Sequence, residues 1–332
     1  MITLKDLKSA RKQIAEVAVR TPLLRYLPPV TDDFDKGKER QIYLKPENLQ
    51  VMGSFKIRGA YNKIASLTSE QRSAGVITYS SGNHAQGVAY AARALGVRAV
   101  VVMPRSTSKV KIESTERLGA ELVFVGPGSN ERQQKAEELA AKQGYAIIPP
   151  FNDEKIISGQ GTIGLEILED LKDVELVLVP VGGGGMISGI SAAIKLSGSR
   201  AKIVGVEPEV ANDAQQSFRT GKIVQIEAQR ASITIAEGLR AQAIGPLNFE
   251  HIRQFVDDIV TVSEDEIRRA VQVLITQAHI IAEPSGAVAF AAELAHADKL
   301  PPARKIVVVI SGGNCDPHLL AQIVDPEHSR AG

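Results

Sequence analysis

The sequence predicts an α/β fold with two open, mostly parallel twisted sheets, helices on both faces of each sheet, and an active-site cleft between a large and a small domain. Three observations support this prediction. The chain has 332 residues, which is long enough for two domains. Short apolar runs alternate with helical patterns in two separate stretches. Aromatic residues make up only 4% of the chain and Trp is absent, which is typical of an aliphatic core.

The first stretch of alternation lies between residues 75 and 148. Its segment 97–104, VRAVVVMP, is almost continuously apolar, which indicates a parallel strand buried on both faces. The helical segment 106–119 is expected to begin at Ser106 or Thr107 as N-cap and to end at Gly119. The other segments follow the same pattern, with strands at 75–81, 120–127 and 145–150 and helices at 83–96 and 130–144. We therefore expect residues 73–148 to form a small mobile domain.

The second stretch resumes the alternation after residue 150. Its strands are expected at 174–181, 201–208 and 305–310, and its helices at 159–172, 185–198, 263–278 and 285–297. Such units imply parallel sheets with right-handed crossovers, and ligands bind at the carboxyl ends of the strands in these sheets. Residues 1–72 and 149–325 are therefore predicted to form the large, ligand-binding domain.

Charge and cysteine content exclude several classes of partner. The chain carries 39 basic and 38 acidic residues, so nothing electrostatic favours nucleic acid or an anionic membrane. The single cysteine, Cys315, fits a reducing compartment. No apolar run approaches the roughly 20 residues that span a bilayer. We expect a cytoplasmic protein with a small-molecule ligand.

Four consecutive glycines at 182–185 follow a predicted buried strand and precede a helix. Backbone N–H groups in such a turn can converge on an anion at the helix N-terminus, and a phosphate is the natural guest. The P-loop pattern is absent, and the strict dinucleotide fingerprint also fails, because its last glycine would fall on Ile187 or Ser188. Glu207 lies about twenty residues further on, where a ribose-binding acid would stand, so a dinucleotide remains an alternative.

Two further loops follow predicted strands. The loop at 80–84, SSGNH, combines hydroxyls with N–H groups at a helix N-terminus, which suits a carboxylate, although a plain N-cap is the simpler explanation. His84 by itself is more typical of a structural histidine. Ser311 ends an apolar strand, where its hydroxyl could bond a ligand ring atom, although Ser-Gly-Gly is also ordinary turn chemistry.

The acidic pair Glu207 and Asp213 stands on either side of a turn. Carboxylate and carbonyl oxygens of this kind suit a hard divalent cation, and two solvated surface carboxylates are the alternative. No zinc-ligand spacing and no Gly-x-Ser-x-Gly elbow is present in the sequence.

Lys56, in the stretch GSFKIRGA, would by itself be typical of a surface lysine whose stem covers apolar neighbours. Together with a phosphate loop, a carboxylate loop and a strand-end hydroxyl, it suggests pyridoxal phosphate. That cofactor needs a lysine for its Schiff base, an anion site for its phosphate and a partner for its ring nitrogen.

At this point the chain resembles the serine/threonine dehydratase and serine racemase family of tryptophan-synthase-β-like (fold type II) pyridoxal-phosphate enzymes. The resemblance runs from RTPLL through ENLQVMGSFKIRGA, SSGNHAQG, VPVGGGGMISG and VEP to SGGN. Its most specific parts are the Ser-Phe-Lys-x-Arg-Gly stretch and the four glycines, in that order.

The resemblance implies a role for individual residues. Lys56 would carry pyridoxal 5′-phosphate as a Schiff base, Asn83 would bond the phenolic oxygen of the ring, and Ser311 its nitrogen. The other cofactor contacts would be Phe55, Gly182, Gly183, Gly184, Gly185, Met186 and Gly238. The substrate contacts would be Ser80, Ser81, Gly82, Asn83, His84 and Arg132. The ligands of an Mg²⁺ or Ca²⁺ ion would be Glu207, Ala211 through its carbonyl, and Asp213. The family also implies a homodimer.

The activity implied is elimination of water from L-threonine or L-serine, giving a 2-oxo acid and ammonia, with Lys56 as the general base. The alternatives are a serine racemase with side dehydratase activity and a 3-hydroxyaspartate dehydratase. Ser81, as a second catalytic group on the opposite face of the substrate, favours a racemase. Ala241 stands where racemases often have a serine, which weighs against it. A nicotinamide-dependent oxidoreductase and a cofactor-binding module without turnover also remain open.

Overall fold

The computed structural model describes residues 1–27, 40–126 and 129–325. The α-helices in these ranges are α1 Leu4–Ile14, α2 Lys56–Ala65, α3 Ser69–Ala74, α4 Asn83–Ala94, α5 Lys109–Arg117, α6 Ser129–Gln143, α7 Glu154–Asp170, α8 Gly185–Leu196, α9 Asp213–Thr220, α10 Ala228–Ala231, α11 Pro246–Phe255, α12 Glu264–Thr276, α13 Pro284–His296 and α14 Pro317–Val324. The strands are β1 Leu24–Tyr26, β2 Gln41–Pro46, β3 Val76–Tyr79, β4 Ala99–Pro104, β5 Glu121–Val125, β6 Ala146–Ile147, β7 Leu176–Pro180, β8 Lys202–Pro208, β9 Asp258–Val262 and β10 Lys305–Ile310.

The strands form two sheets, with the orders β1-β2-β10-β7-β8-β9 and β5-β4-β3-β6. Every pairing is parallel except that of β1 with β2. The predicted α/β fold with two mostly parallel sheets is therefore confirmed. The smaller sheet takes all its strands from residues 76–147. The proposed domain boundaries and the mobility of the small domain stay predictions.

The centre of the larger sheet is buried on both faces, because β7 is apolar throughout and β10 is apolar after Lys305. In β10, Ile306, Val308 and Ile310 pack in a cluster with α12 and α13. The alternate residues Val307 and Val309 pack in a second cluster with α8 and α11. This two-sided burial explains the unbroken apolar run of the strand. In the part of the chain that is described, no helix has the length and apolarity needed to cross a membrane.

Several predicted boundaries were wrong, each for a local reason. The N-cap of α5 is Ser108, not Ser106 or Thr107, because the hydroxyl of Thr107 donates to the carbonyl of Pro104 in a preceding turn. Strand β6 has two residues, since the two prolines at 149–150 cannot donate to a ladder. Helix α7 begins at Glu154, five residues before the predicted start, because the Asp153 carboxylate caps it.

Strands β1, β2 and β9 were not predicted. In β2 the reason is clear, because Lys45 interrupts the apolar pattern although its side chain is fully buried. The charge of Lys45 is balanced in the interior, where its Nζ lies 2.6 Å from Glu166 Oε2. A buried lysine of this kind cannot be distinguished from a surface residue by pattern alone.

The partners of Lys45 form a buried ion network beneath α2. The Arg58 guanidinium binds Glu47 at 2.7 Å and Glu166 at 2.6 Å. The hydroxyl of Thr21 donates to Glu47, and Lys45 also donates to the carbonyl of Thr21. Burial disfavours a charged Glu47, but Arg58 outweighs it and holds the pKa of that carboxyl below its usual range. The network ties α2 to β2 and α7, because each of these elements contributes a charged side chain.

Candidate active site

Lys56 is the first residue of α2, and its side chain is partly buried. Its Nζ donates to the carbonyl of Pro150 at 2.9 Å and lies 5.1 Å from the centroid of the Phe55 ring. Burial lowers the pKa of Lys56 to about 8. The Phe55 N–H donates to the carbonyl of Ser311 at 3.2 Å, so α2 begins directly beside the end of β10. Lys56 is thus a partly buried amine with a raised neutral fraction.

Helix α4 brings the SSGNH loop against Lys56. A Cβ on Gly87 would stand 3.3 Å from Lys56 Cβ, so the absence of a side chain there permits the close approach. Asn83 is the first residue of α4, and the Gly82 N–H bonds Ser80 Oγ at 3.3 Å. Among the described residues, nothing accepts from the N–H groups of Ser81, Asn83 and His84. These N–H groups are therefore available to a carboxylate.

The imidazole of His84 is committed elsewhere. Its Nε2 lies 3.0 Å from the carbonyl of Ile148, and burial together with the charge of Lys56 lowers the pKa of His84 to about 3. The His84 ring is therefore neutral and has a structural contact, as the sequence predicts for a single histidine. Only the backbone N–H of His84 remains available for the predicted substrate contact.

The glycine loop between β7 and α8 fits an anion. Within the described ranges, no acceptor bonds the backbone N–H groups of residues 182–186. Gly184 has φ +92°, a conformation that L-residues rarely adopt. A Cβ on Gly183 would stand 2.2 Å from the Phe151 ring, so a side chain is sterically excluded there. Unpartnered N–H groups at the start of α8 match the needs of a phosphate.

The residues predicted to contact the cofactor ring meet at the start of α13. The Gly238 N–H donates to Ser285 Oγ at 2.8 Å, and the Ser311 hydroxyl donates to the carbonyl of Ser285 at 3.3 Å. The Asn83 side chain donates to Glu283 Oε1 at 2.5 Å. Asn83, Gly238 and Ser311, which are far apart in sequence, therefore all bond to the same helix start. These residues fit pyridoxal phosphate, and their individual roles stay predictions.

Sequence reasoning missed Glu283, Ser285 and Pro150. Glu283 and Ser285 belong to the segment EPSG, and Pro284 is the first residue of α13. An acidic residue before a proline is a helix-start signal, but it says nothing of what the helix start faces. Pro150 acts through its carbonyl, which leaves no trace in the side-chain sequence.

Arg132 is not brought into contact with the other site residues. It lies in the first turn of α6, and its Nε is buried without a hydrogen-bond partner in the described part of the chain. Burial lowers the pKa of this guanidinium. Its predicted approach to the substrate would need a change in the position of α6.

The acidic pair is buried, contrary to the alternative of two solvated carboxylates. Glu207 accepts from the N–H groups of Ala214 and Gln215 at 3.1 and 2.7 Å, whereas both oxygens of Asp213 lack a partner among the described residues. Burial raises the pKa of Asp213 to about 7, and burial with the nearby Asp213 charge raises that of Glu207. Orphaned buried oxygens fit a cation. In the described ranges, no group of three or more His, Cys, Asp or Glu side chains could hold a metal, so backbone carbonyls would have to complete the site.

Comparisons with known proteins agree with this geometry. A family model described as pyridoxal-phosphate dependent enzyme matches residues 14–312. L-threonine ammonia-lyase of Thermotoga maritima is 44% identical over 332 residues, which cover 100% of this chain and 80% of that protein. The catabolic L-threonine dehydratase of Escherichia coli is 41% identical and covers 97% of this chain and 96% of its own length. The solved structure of maize serine racemase has a TM-score of 0.90 at 34% identity, covering 99% of this chain and 98% of its own.

The chain therefore belongs to the family of pyridoxal-phosphate dependent enzymes, and the resemblance drawn from the sequence is confirmed. The nicotinamide alternative is wrong on the same ground. Glu207, which had kept that alternative open, bonds backbone N–H groups after the turn and so is not presented as a ribose acceptor.

We predict that the apoenzyme captures pyridoxal phosphate with a rate set by neutral Lys56. Because the pKa of Lys56 is lowered to about 8, the neutral fraction increases about tenfold per pH unit below that value and levels off above it. Stopped-flow absorbance after mixing apoenzyme with the cofactor, at several pH values on either side of pH 8, measures this rate. Lys63→Ala, on the same helix, is the control and should keep the profile. A rate still rising well above pH 9 would contradict the prediction.

Proposed function

We propose that this protein is a pyridoxal-phosphate-dependent ammonia-lyase that eliminates water from L-threonine or L-serine, giving a 2-oxo acid and ammonia. One observation carries the proposal. The amine of Lys56 has its pKa lowered by burial, and α4 packs directly against it with a loop of unpartnered N–H groups. The names of the relatives, L-threonine ammonia-lyase and L-threonine dehydratase, support the substrate class.

The loop at 80–84 would hold the carboxylate of the amino acid. Its unpartnered N–H groups lie at the start of α4, where the helix dipole adds a partial positive charge. The hydroxyls of Ser80 and Ser81 are half-buried and can add hydrogen bonds. A carboxylate fixed there would place Cα near Lys56, because Gly87 lets the lysine backbone pack against the same helix.

The amine of Lys56 would move the α-proton. A lowered pKa means that a neutral amine is present near pH 8, as a general base requires. When bound, pyridoxal phosphate supplies the electron sink that makes this proton acidic. Ser311 is a neutral partner for a ring nitrogen, and a neutral hydroxyl does not hold that nitrogen protonated. This favours rapid loss of the β-hydroxyl over a long-lived carbanion.

Serine racemisation is the second candidate function, and 3-hydroxyaspartate remains an alternative substrate. Racemisation needs an acid on the face of the substrate opposite Lys56, and Ser81 is our candidate. Ser81 is half-buried and lies two residues before the start of α4. The structural likeness to maize serine racemase also favours this candidate.

We also propose a divalent cation site at Glu207, Ala211 and Asp213. All three residues are fully buried, and the two oxygens of Asp213 have no protein partner in the described ranges. An unneutralised pair of buried carboxylates destabilises the folded chain, and Mg²⁺ or Ca²⁺ would relieve that cost.

A homodimer is our proposal for the assembly. Leu49, Val51 and Ile281 are large apolar side chains that are 50%, 45% and 57% exposed, and an apolar group of this kind is typical of a protein interface. They lie near one another, because Asn48 Nδ2 donates to the carbonyl of Ile281 at 3.0 Å. A second copy of the chain would cover this apolar surface.

The proposed reaction is tested with holoenzyme and a panel of L-threonine, L-serine and 3-hydroxyaspartate. We expect 2-oxo acid and ammonia in equal amounts, and Lys56→Ala should lower the rate about a thousandfold or more. Lys63→Ala should keep it. Chiral chromatography follows D-serine in the same incubations, and Ser81→Ala should remove any D-serine formed. D-Serine accumulating faster than pyruvate would make racemisation the main activity.

The cation site is tested by thermal unfolding with and without Mg²⁺ or Ca²⁺ after chelation. At a concentration about a hundred times Kd, binding adds about 2.7 kcal/mol, which should raise Tm by roughly 5 °C. Asp213→Asn should abolish the increase, and Asp258→Asn, a partly exposed acid on β9, should retain it. An increase that survives in the Asp213 variant would show that the ion binds elsewhere.

The assembly is tested by light scattering coupled to size exclusion. The expected mass is twice that of one chain, and Ile281→Lys should shift it towards one. Ile233→Lys is the matched control, because Ile233 is 62% exposed but lies outside the proposed surface. A monomeric mass for the unmodified chain would overturn the dimer.

A further inference from the structure

The side-chain amide of Asn83 is held at both ends. Its Nδ2 donates to Glu283 Oε1 at 2.5 Å, and its Oδ1 accepts from Asn314 Nδ2 at 2.8 Å. Asn314 is itself fixed, because the same Nδ2 donates to the carbonyl of Met52 at 2.7 Å. If the Asn83 amide were reversed, its oxygen would face the Glu283 carboxylate and its NH₂ group would face the NH₂ group of Asn314. The network therefore determines the direction in which Asn83 points its donor.

One N–H of Asn83 remains after these bonds. An amide nitrogen carries two hydrogens, and only one of them is used by Glu283. No other acceptor for Nδ2 is present among the described residues. Asn83 can therefore offer a donor into the cleft, and its oxygen is already occupied by Asn314. The phenolic oxygen of pyridoxal phosphate, when ionised, requires a donor and would be repelled by an acceptor.

We propose that Glu283 is a positioning residue, which together with Asn314 orients Asn83 so that it presents an N–H to the phenolic oxygen of the cofactor. This inference rests on the role proposed above for Asn83. Glu283 acts through Asn83 and does not itself touch the cofactor. Without Glu283, the Asn83 side chain loses one of its two anchors and can rotate about χ2.

The backbone around Glu283 holds its carboxylate in place. Glu283 is the N-cap residue of α13, and its N–H donates to the carbonyl of Gly312 at 3.1 Å. A Cβ on Gly312 would stand 2.3 Å from Glu283 Oε1, so the carboxylate packs directly on the loop that follows β10. That loop also carries Asn314. Both anchors of Asn83 thus lie where the start of α13 meets the loop after β10.

Protonation of Glu283 changes the strength of its hydrogen bond with Asn83, but Asn83 remains the donor. Burial raises the pKa of Glu283 to about 7, and the titratable groups that face it are Lys111, Glu237 and the Cys315 thiol, whose own pKa is raised to about 11. A protonated carboxyl still offers its carbonyl oxygen to Asn83. Asn314 holds the other end by a bond between two uncharged amides, which does not depend on pH over this range.

The test compares holoenzyme variants by the visible absorbance spectrum of the bound cofactor and by its Kd. Glu283→Ala should change the spectrum of the bound cofactor and raise its Kd about five- to tenfold. The reason is that Asn83, no longer held by Glu283, would lose its hydrogen bond to the ionised phenolic oxygen. Glu283→Gln keeps an acceptor oxygen and should restore both properties. The control is Glu293→Ala. Glu293 is a buried acid of α13 that binds Arg40 at 2.8 Å and has no contact with Asn83. This variant should lower Tm only.

A double-mutant cycle separates this inference from the proposed role of Asn83. If Glu283 acts through Asn83, then Glu283→Ala should add nothing in an Asn83→Ala background. An equal effect in both backgrounds would overturn the positioning role while leaving Asn83 as a cofactor contact. If Asn83→Ala alone changes neither the spectrum nor Kd, the proposed role of Asn83 fails and the inference fails with it. Apoenzyme Tm values show whether each variant is folded.

Discussion

Four buried charged side chains hold the start of α2, which carries Lys56, the proposed general base. Arg58 lies two residues after Lys56, and its guanidinium binds both Glu47 and Glu166. Glu166 also pairs with Lys45. Removing one member would leave an uncompensated charge in the interior, at a cost of about 3–5 kcal/mol. Because the partners come from β2, the residue that follows it and α7, the network ties the start of α2 to the large sheet and to α7, which packs against α8 after the glycine loop.

The start of α13 is the second organising point. One helix turn bonds Asn83 through Glu283, Gly238 through the hydroxyl of Ser285, and Ser311 through the carbonyl of Ser285. Three segments of the chain therefore depend on the same turn for their geometry. A ring bound among them would be surrounded by groups whose positions are set before the ligand arrives, which lowers the ordering cost of binding.

The same cleft arrangement explains why elimination and racemisation are close neighbours in chemistry. In the mechanism that we propose, both begin with a proton moved by Lys56, and they differ in whether a second acid reaches the other face of the substrate. Ser81, which is half-buried and lies just before α4, is the group that we propose for this role. Lys111 of α5 forms an ion pair with Glu237, so α5 also contacts the segment that carries Gly238.

The sequence by itself determined the fold class, the order of most strands and helices, and the lysine, glycine-loop and strand-end positions, because these depend on local periodicity and on residue types with few alternative uses. It did not determine β2, where the buried Lys45 breaks the apolar pattern, nor the commitment of the His84 ring to Ile148. Only the tertiary structure decided what Glu283, Ser285 and Asn314 contact. Hydrogen bonds between residues some 200 positions apart follow from how the helices pack, and no short stretch of sequence encodes that packing.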